Sequence, residues 1–156
     1  MGKLPSFPVE GGCACDRVRY RLTAPPMNVY LCHCTDCQTI TTSAFVQGAF
    51  VSPDVFEIIR GKDDLMMWER VHTTSGGRPP QFSCRHCGVR IYSQSRPELL
   101  TLRAGTLDDT TWLTPAGSIW TASKQPWVIL PDDVLCYDDG GDMKAITAKW
   151  QAEWMS

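Results

Sequence analysis

The 156-residue sequence lacks any apolar run near the roughly 18 residues needed to cross a bilayer, and its start, MGKLPSFPVEGG, holds no hydrophobic stretch of signal-peptide length. These absences predict a cytoplasmic chain with no membrane partner. Its first six residues match the loose Met-Gly-x-x-x-Ser myristoylation pattern, but Pro5 lies inside it and no lipid anchor is expected. Also missing is any massing of basic residues: 15 Lys and Arg are scattered among 17 Asp and Glu, for a formal net charge of −2. A nucleic-acid binder needs a concentrated basic footprint, so nucleic acid is not expected as a partner. No internal repeat, low-complexity tract or linker divides the chain, which predicts a single domain over 1–156.

What the sequence does have is cysteine, eight in all. In a chain without an export signal, metal ligation is the more economical use of so many thiols than disulfides. Seven fall in tight groups, Cys13-x-Cys15, Cys32-x-Cys34-x-x-Cys37 and Cys84-x-x-Cys87, while Cys136 stands alone. In CRHCG a tight reversal brings both sulfurs to one ion, and Gly88 relieves the strain of the chain leaving it. The knuckle needs a second pair. Cys13 and Cys15 supply it if the chain there is extended, since residues i and i+2 then face one side. That makes a closed four-thiolate site, the structural type; the bland alternative is four reduced core cysteines.

Cys32, Cys34 and Cys37 are left for a second ion with an open fourth position. By the same alternation His33 faces away from it, as a solvent-facing or backbone-bonded residue, and His72 and His86 have no ligand spacing. Three thiolates outweigh a dication, so the site is a weak Lewis acid suited to holding a thiol deprotonated. Cys136 reads first as a small buried hydrophobe. As a lone nucleophile it would instead make the protein a thiol redox enzyme.

The surrounding sequence reads as mainly β. RVRYRL alternates, with Val18, Tyr20 and Leu22 on one face and arginines on the other. Further strands are expected at Val29–Leu31, Ala44–Val51, Val55–Ile59, Leu65–Val71, Val89–Ser93, Leu99–Arg103, Ile119–Thr121 and Trp127–Leu130. TTSGGRPP, residues 73 to 80, is the most loop-like stretch. From Asp142, placed as an N-cap, the period becomes helical over about 142–155, with Met143, Ile146, Trp150 and Trp154 on one face. An exposed strand edge or this helix offers a surface for a homodimer, which neither requires.

The segments GGCACDRVRYRL, CHCTDCQTITTSAF, FSCRHCGVRIYSQS, GTLDD and SIWTASKQPW resemble, in order, those of the glutathione-dependent formaldehyde-activating enzyme (GFA) family, which includes centromere protein V. The resemblance covers about residues 10–130. It implies antiparallel sheets in a tent-like arrangement, a structural zinc on Cys13, Cys15, Cys84 and Cys87, and a second, labile zinc on Cys32, Cys34 and Cys37. The implied activity is that of a carbon–sulfur lyase or thiol-adduct enzyme, joining glutathione, or releasing it from a conjugate, with a small electrophile such as an aldehyde. Thr41, Thr42 and Ser43 offer hydroxyl donors beside the open site, with Ser43 the candidate catalytic one. Trp120, Lys124 and Trp127 match the SK-x-PW region. Lys124 and Trp127 are then candidates for binding the thiol substrate, although both tryptophans read first as core. Asp108 and Asp109 offer carboxylates but read first as a turn. Two departures stand out: Thr42-Ser43 where the family has Gly-Ser, and Cys15-Asp16 where it often has Cys-Gly. A non-catalytic zinc module for protein contacts is the rival reading.

Overall fold

A computed structural model describes residues 3–74 and 76–155. Met1 and Gly2, which begin the myristoylation-like pattern, Ser75 of the loop-like stretch, and Ser156 lie outside the described residues. The strands are β1 (Val9–Gly12), β2 (Arg19–Leu22), β3 (Asn28–Cys32), β4 (Val46–Val51), β5 (Phe56–Arg60), β6 (Leu65–Trp68), β7 (Gln81–Cys84), β8 (Arg90–Arg96), β9 (Leu99–Arg103), β10 (Gly117–Ile119) and β11 (Leu135–Cys136). Two helices, α1 (Thr35–Thr41) and α2 (Met143–Trp154), complete the mainly β domain.

The strands form two sheets, one ordered β1-β2-β5 and the other β11-β10-β3-β4-β9-β8-β7-β6. Pairing is antiparallel except at β10, which runs parallel to both β3 and β11. Alternation in β2 does what it predicts: Val18, Tyr20 and Leu22 are fully buried. β3 is buried along its whole length, because β4 and β10 flank it and α2 lies over it.

Asp142 caps α2 by accepting from the Lys144 and Ala145 N–H groups, both at 3.0 Å. Ile146 and Trp150 are fully buried on its inner face. The helix sits so close to β10 that a Cβ at Gly117 would lie 2.5 Å from the Ile146 side chain, which requires glycine there. Buried Asn28 joins the layers: its Nδ2 donates to Thr147 Oγ1 at 2.7 Å and its Oδ1 accepts from the Phe50 N–H at 3.1 Å.

Several expectations need correction. Trp127–Leu130 is not a strand; Pro126 and Pro131 bracket it, cannot donate to a ladder, and leave Trp127 70% and Ile129 92% exposed. The strand expected over Ile119–Thr121 ends at Ile119, because Trp120 takes a left-handed φ of 57° and starts a single 3-10 turn. The reading missed α1, a polar helix in which only Asp36 is buried, because no apolar period marks it. Also unexpected are β1 and β7, four residues each, and the two-residue β11, whose pairing partners define them better than their composition does.

Candidate metal centre and adjoining cavities

The sulfurs of Cys13, Cys15, Cys84 and Cys87 lie within 4.8 Å of one another. Cys15 Sγ is 3.5 Å from Cys13 Sγ and 3.6 Å from Cys84 Sγ, and no disulfide joins them. The Cys13–Cys15 segment is a turn after β1 rather than extended chain: the Asp16 N–H donates to the Cys13 carbonyl at 3.1 Å and the Val18 N–H to Cys13 Sγ at 3.3 Å. On the other side the Gly88 N–H closes the knuckle on the Cys84 carbonyl at 2.9 Å, with Gly88 at φ 77°. Two turns thus aim four sulfurs at one point. The Cys87 thiol is lowered to about 6: burial opposes this, but the Val89 and Cys15 N–H groups and neighbouring thiols outweigh it. A soft tetrahedral donor set of this kind fits a structural zinc.

Cys32, Cys34 and Cys37 form a second cluster whose sulfurs also lie within 4.8 Å of one another. Cys32 ends β3, and Cys34 is the extended N-cap of α1, its sulfur accepting from the Cys37 N–H at 3.3 Å. Hydrogen bonds from the Cys32 and Cys37 thiols pull Cys34 down to about 3, and the same contacts push Cys32 up. Three thiols that compete for charge in this way are matched to a cation. His33 belongs to neither cluster. It is fully buried against Phe45, and neither ring nitrogen has a partner among the described residues, so its side chain is neither the solvent-facing nor the backbone-bonded one expected.

The backbone of His33 carries the local order instead. Its N–H donates to the Ile119 carbonyl at 3.0 Å, and its own carbonyl accepts from Gln38 Nε2 at 2.7 Å and Ser123 Oγ at 3.0 Å. Gln38 also donates to the Ser123 carbonyl at 2.9 Å, tying the cluster to the SK-x-PW segment. Buried Asp36 holds the opposite side, accepting from the Thr74 N–H at 3.0 Å and pairing with Arg70 at 3.4 Å. Sequence reasoning missed Gln38, Asp36, Arg70 and Ser123. The signal for Asp36 was its place inside the Cys-x-x-Cys spacing, where a solvated side chain is the default assumption.

One cavity adjoins the three-cysteine cluster, and a second shares part of its wall. The smaller, about 100 Å³, is lined by Cys34 and Cys37 together with Asp36, Arg70, Arg78, Arg90 and Arg103. The larger, about 420 Å³, holds no cysteine; Phe45, Val46, Trp68 and Val89 make its apolar wall. Ile40, Arg90 and Arg103 line both. The four-cysteine knuckle touches the larger cavity only through Gly88 and the chain that follows it.

Other predicted site residues fall elsewhere. Ser43 is exposed and lines neither cavity. Thr41 lines the larger one, but its hydroxyl donates to the Cys37 carbonyl at 2.7 Å. Lys124 Nζ donates to the Val128 carbonyl at 2.8 Å, and exposed Trp127 donates to Gln125 Oε1 at 2.7 Å, so Trp127 is not the core residue expected. Asp108 is held in a fork by Arg19, and Asp109 accepts from the Thr111 N–H at 2.9 Å. Cys136 is exposed on β11 rather than buried.

Residues 8–123 match the family described as glutathione-dependent formaldehyde-activating enzyme. The chain belongs to the GFA family. Its fold is similar to that in a crystal structure of a Rhodobacter sphaeroides protein, at 18% identity and a TM-score of 0.52, over 82% of this chain and 98% of that one. No curated protein matches the sequence. The two departures from the GFA pattern share one conformation: Thr42 and Asp16 adopt φ 51° and 63°. The turns that glycine would make are kept, and residues with a Cβ bear a cost of about 1–2 kcal/mol each.

Proposed function

We propose that this GFA-family protein is a zinc-dependent carbon–sulfur lyase or thiol-adduct enzyme that uses glutathione, or a glutathione conjugate, with a small electrophile such as an aldehyde. The observation that carries this reading is the contrast between the clusters: four sulfurs converge in one, whereas three converge in the other, two of them on a cavity wall. Cys32, Cys34 and Cys37 would hold a zinc ion, which would supply a Lewis acid that favours the thiolate form of a thiol substrate.

The chain's own residues then set the geometry. Cys34 and Cys37 face the entering thiol, while Cys32 is anchored on β3 behind them. The bonds from Gln38 and Ser123 to the His33 carbonyl hold the Cys-His-Cys segment in place. Ile40, Phe45 and Trp68 give an apolar wall for the rest of the substrate and limit competing water. Zinc at Cys13, Cys15, Cys84 and Cys87 has a structural part. Ser43, Lys124 and Trp127 have no part in this reading, since none lines either cavity.

The test is exchange spectroscopy on glutathione and formaldehyde with the zinc-loaded chain. Adduct formation faster than the uncatalysed rate, lost in Cys34→Ser and kept in Cys136→Ser, is expected. Loss in Cys136→Ser alone would move the chemistry to a redox thiol, and no acceleration with both ions bound would remove this activity.

A further inference from the structure

Arg90 and Arg103 come from adjacent strands β8 and β9, and both line the cavity of Cys34 and Cys37 as well as the larger one. Each guanidinium is half-committed. Arg90 Nη1 donates to Gln81 Oε1 at 2.9 Å, and Arg103 Nη2 donates to Ser93 Oγ at 2.8 Å. Yet Arg90 Nη2 and Arg103 Nε are buried with no hydrogen-bond partner among the described residues. A buried charged donor without a partner is costly, and a ligand that accepts from it removes that cost.

Charge sharpens the case. Burial and the neighbouring Arg103 cation both weaken the hold of Arg90 on its proton. Arg70 and Arg78 add two further cations to the smaller cavity, whose one carboxylate, Asp36, is taken by Arg70 and the Thr74 N–H. None of these contacts uses Arg90 Nη2 or Arg103 Nε.

We infer that Arg90 and Arg103 form an anion subsite that docks a carboxylate of the thiol substrate, so the acceptable thiols are acidic ones with sulfur and carboxylate on one small molecule. A carboxylate accepts two N–H donors at once, which suits one vacant donor on each of two guanidiniums. A phosphate dianion suits the site less well, given the small volume and Asp36 within it. The subsite also replaces Lys124, whose ammonium is spent on the Val128 carbonyl. The inference rests on the proposed entry of a thiol at the three-cysteine cluster.

Two measurements separate the failure of one from the failure of the other. The first is calorimetric titration of the zinc-loaded full chain with 3-mercaptopropionate and with 2-mercaptoethanol, a neutral thiol of similar size. The acidic thiol is expected to bind about tenfold tighter or more, and R90Q or R103Q to collapse that ratio. Equal affinities, or a ratio unchanged in both variants, overturns the subsite. The second needs no variant and no metal–thiol bond: propionate is titrated into the isotope-labelled wild-type chain while the arginine side-chain N–H resonances are followed. Saturable shifts at Arg90 and Arg103 support the subsite even if neither thiol binds, which would count against the thiol reading alone. No shift at either arginine overturns the subsite even if both thiols bind.

Discussion

The four-cysteine knuckle and the three-cysteine cluster use the same side chain for different ends, and chain connectivity explains how. In the knuckle, Cys15 and Cys84 are 69 positions apart, so an ion there closes a long loop and joins β1 of the small sheet's side to β7 of the large sheet. The other three cysteines sit within six consecutive residues, between β3 and α1. An ion there closes almost no loop. Cross-linking distant residues removes far more unfolded-chain entropy than linking near neighbours, so an ion at the knuckle would contribute mainly to folding and one at the triplet would be left free to serve chemistry.

Cysteine substitutions test that asymmetry most severely. Cys84→Ser removes a fully buried ligand of the distant pair and is expected to prevent stable folding, because zinc binding in small domains is worth on the order of 10 kcal/mol of folding free energy. Circular dichroism and metal content read this out. Cys37→Ser is expected to keep the fold and one ion while losing the other. If Cys37→Ser unfolds the chain as completely as Cys84→Ser, the division of labour is wrong.

Acidification probes the same contrast more gently. Bound metal requires deprotonated sulfur, so falling pH favours release. The three-cysteine ion, with fewer ligands and a cavity at its side, should leave at a higher pH than the knuckle ion, as followed by a chromophoric zinc indicator. Simultaneous release would make the sites equivalent.

Smaller effects come from the turns beside each cluster. Thr42 follows α1 at φ 51° and ψ 34°, where glycine has no Cβ penalty. Thr42→Gly is expected to stabilise the chain by about 1 kcal/mol, a rise of a few degrees in melting temperature. A fall would mean that the Thr42 side chain contributes more than its backbone costs. Near the knuckle, Asp108 is held below its ordinary pKa by hydrogen bonds from Arg19 and then by its charge. A depressed carboxylate contributes stability above its unfolded pKa and loses it as pH falls through the folded one. Because the Asp108 side chain is 56% exposed, Asp108→Asn should cost under about 1 kcal/mol at neutral pH, and the cost should shrink as the pH falls below the ordinary carboxylate pKa and through the lowered folded one. A deficit that persists in acid would assign the loss to something other than the carboxylate charge.

Cysteine spacing made both clusters legible because each pair or triplet is local, and the match between distant pairs followed from counting ligands. Alternation found β2, and period with an N-cap found α2, since both elements bury one face. What stayed hidden was set by long-range pairing. β1 and β7 are defined by their neighbours, and α1 is helical without an apolar stripe because its work is to hold Cys34 and Cys37. The exposure of Trp127 was misread because a tryptophan is usually core, whereas Pro126 and Pro131 keep this one out of a sheet. Arg90 and Arg103 carry no sequence signal: an arginine at either end of a strand normally reaches water, and here the fold buries a donor from each.

If the knuckle is a closed site and the triplet an open one, X-ray absorption at the zinc edge of the two-zinc protein without added thiol reads an average below four sulfur ligands per zinc, rising to four on adding glutathione. An average of four from the start, or one that glutathione leaves unchanged, would contradict it.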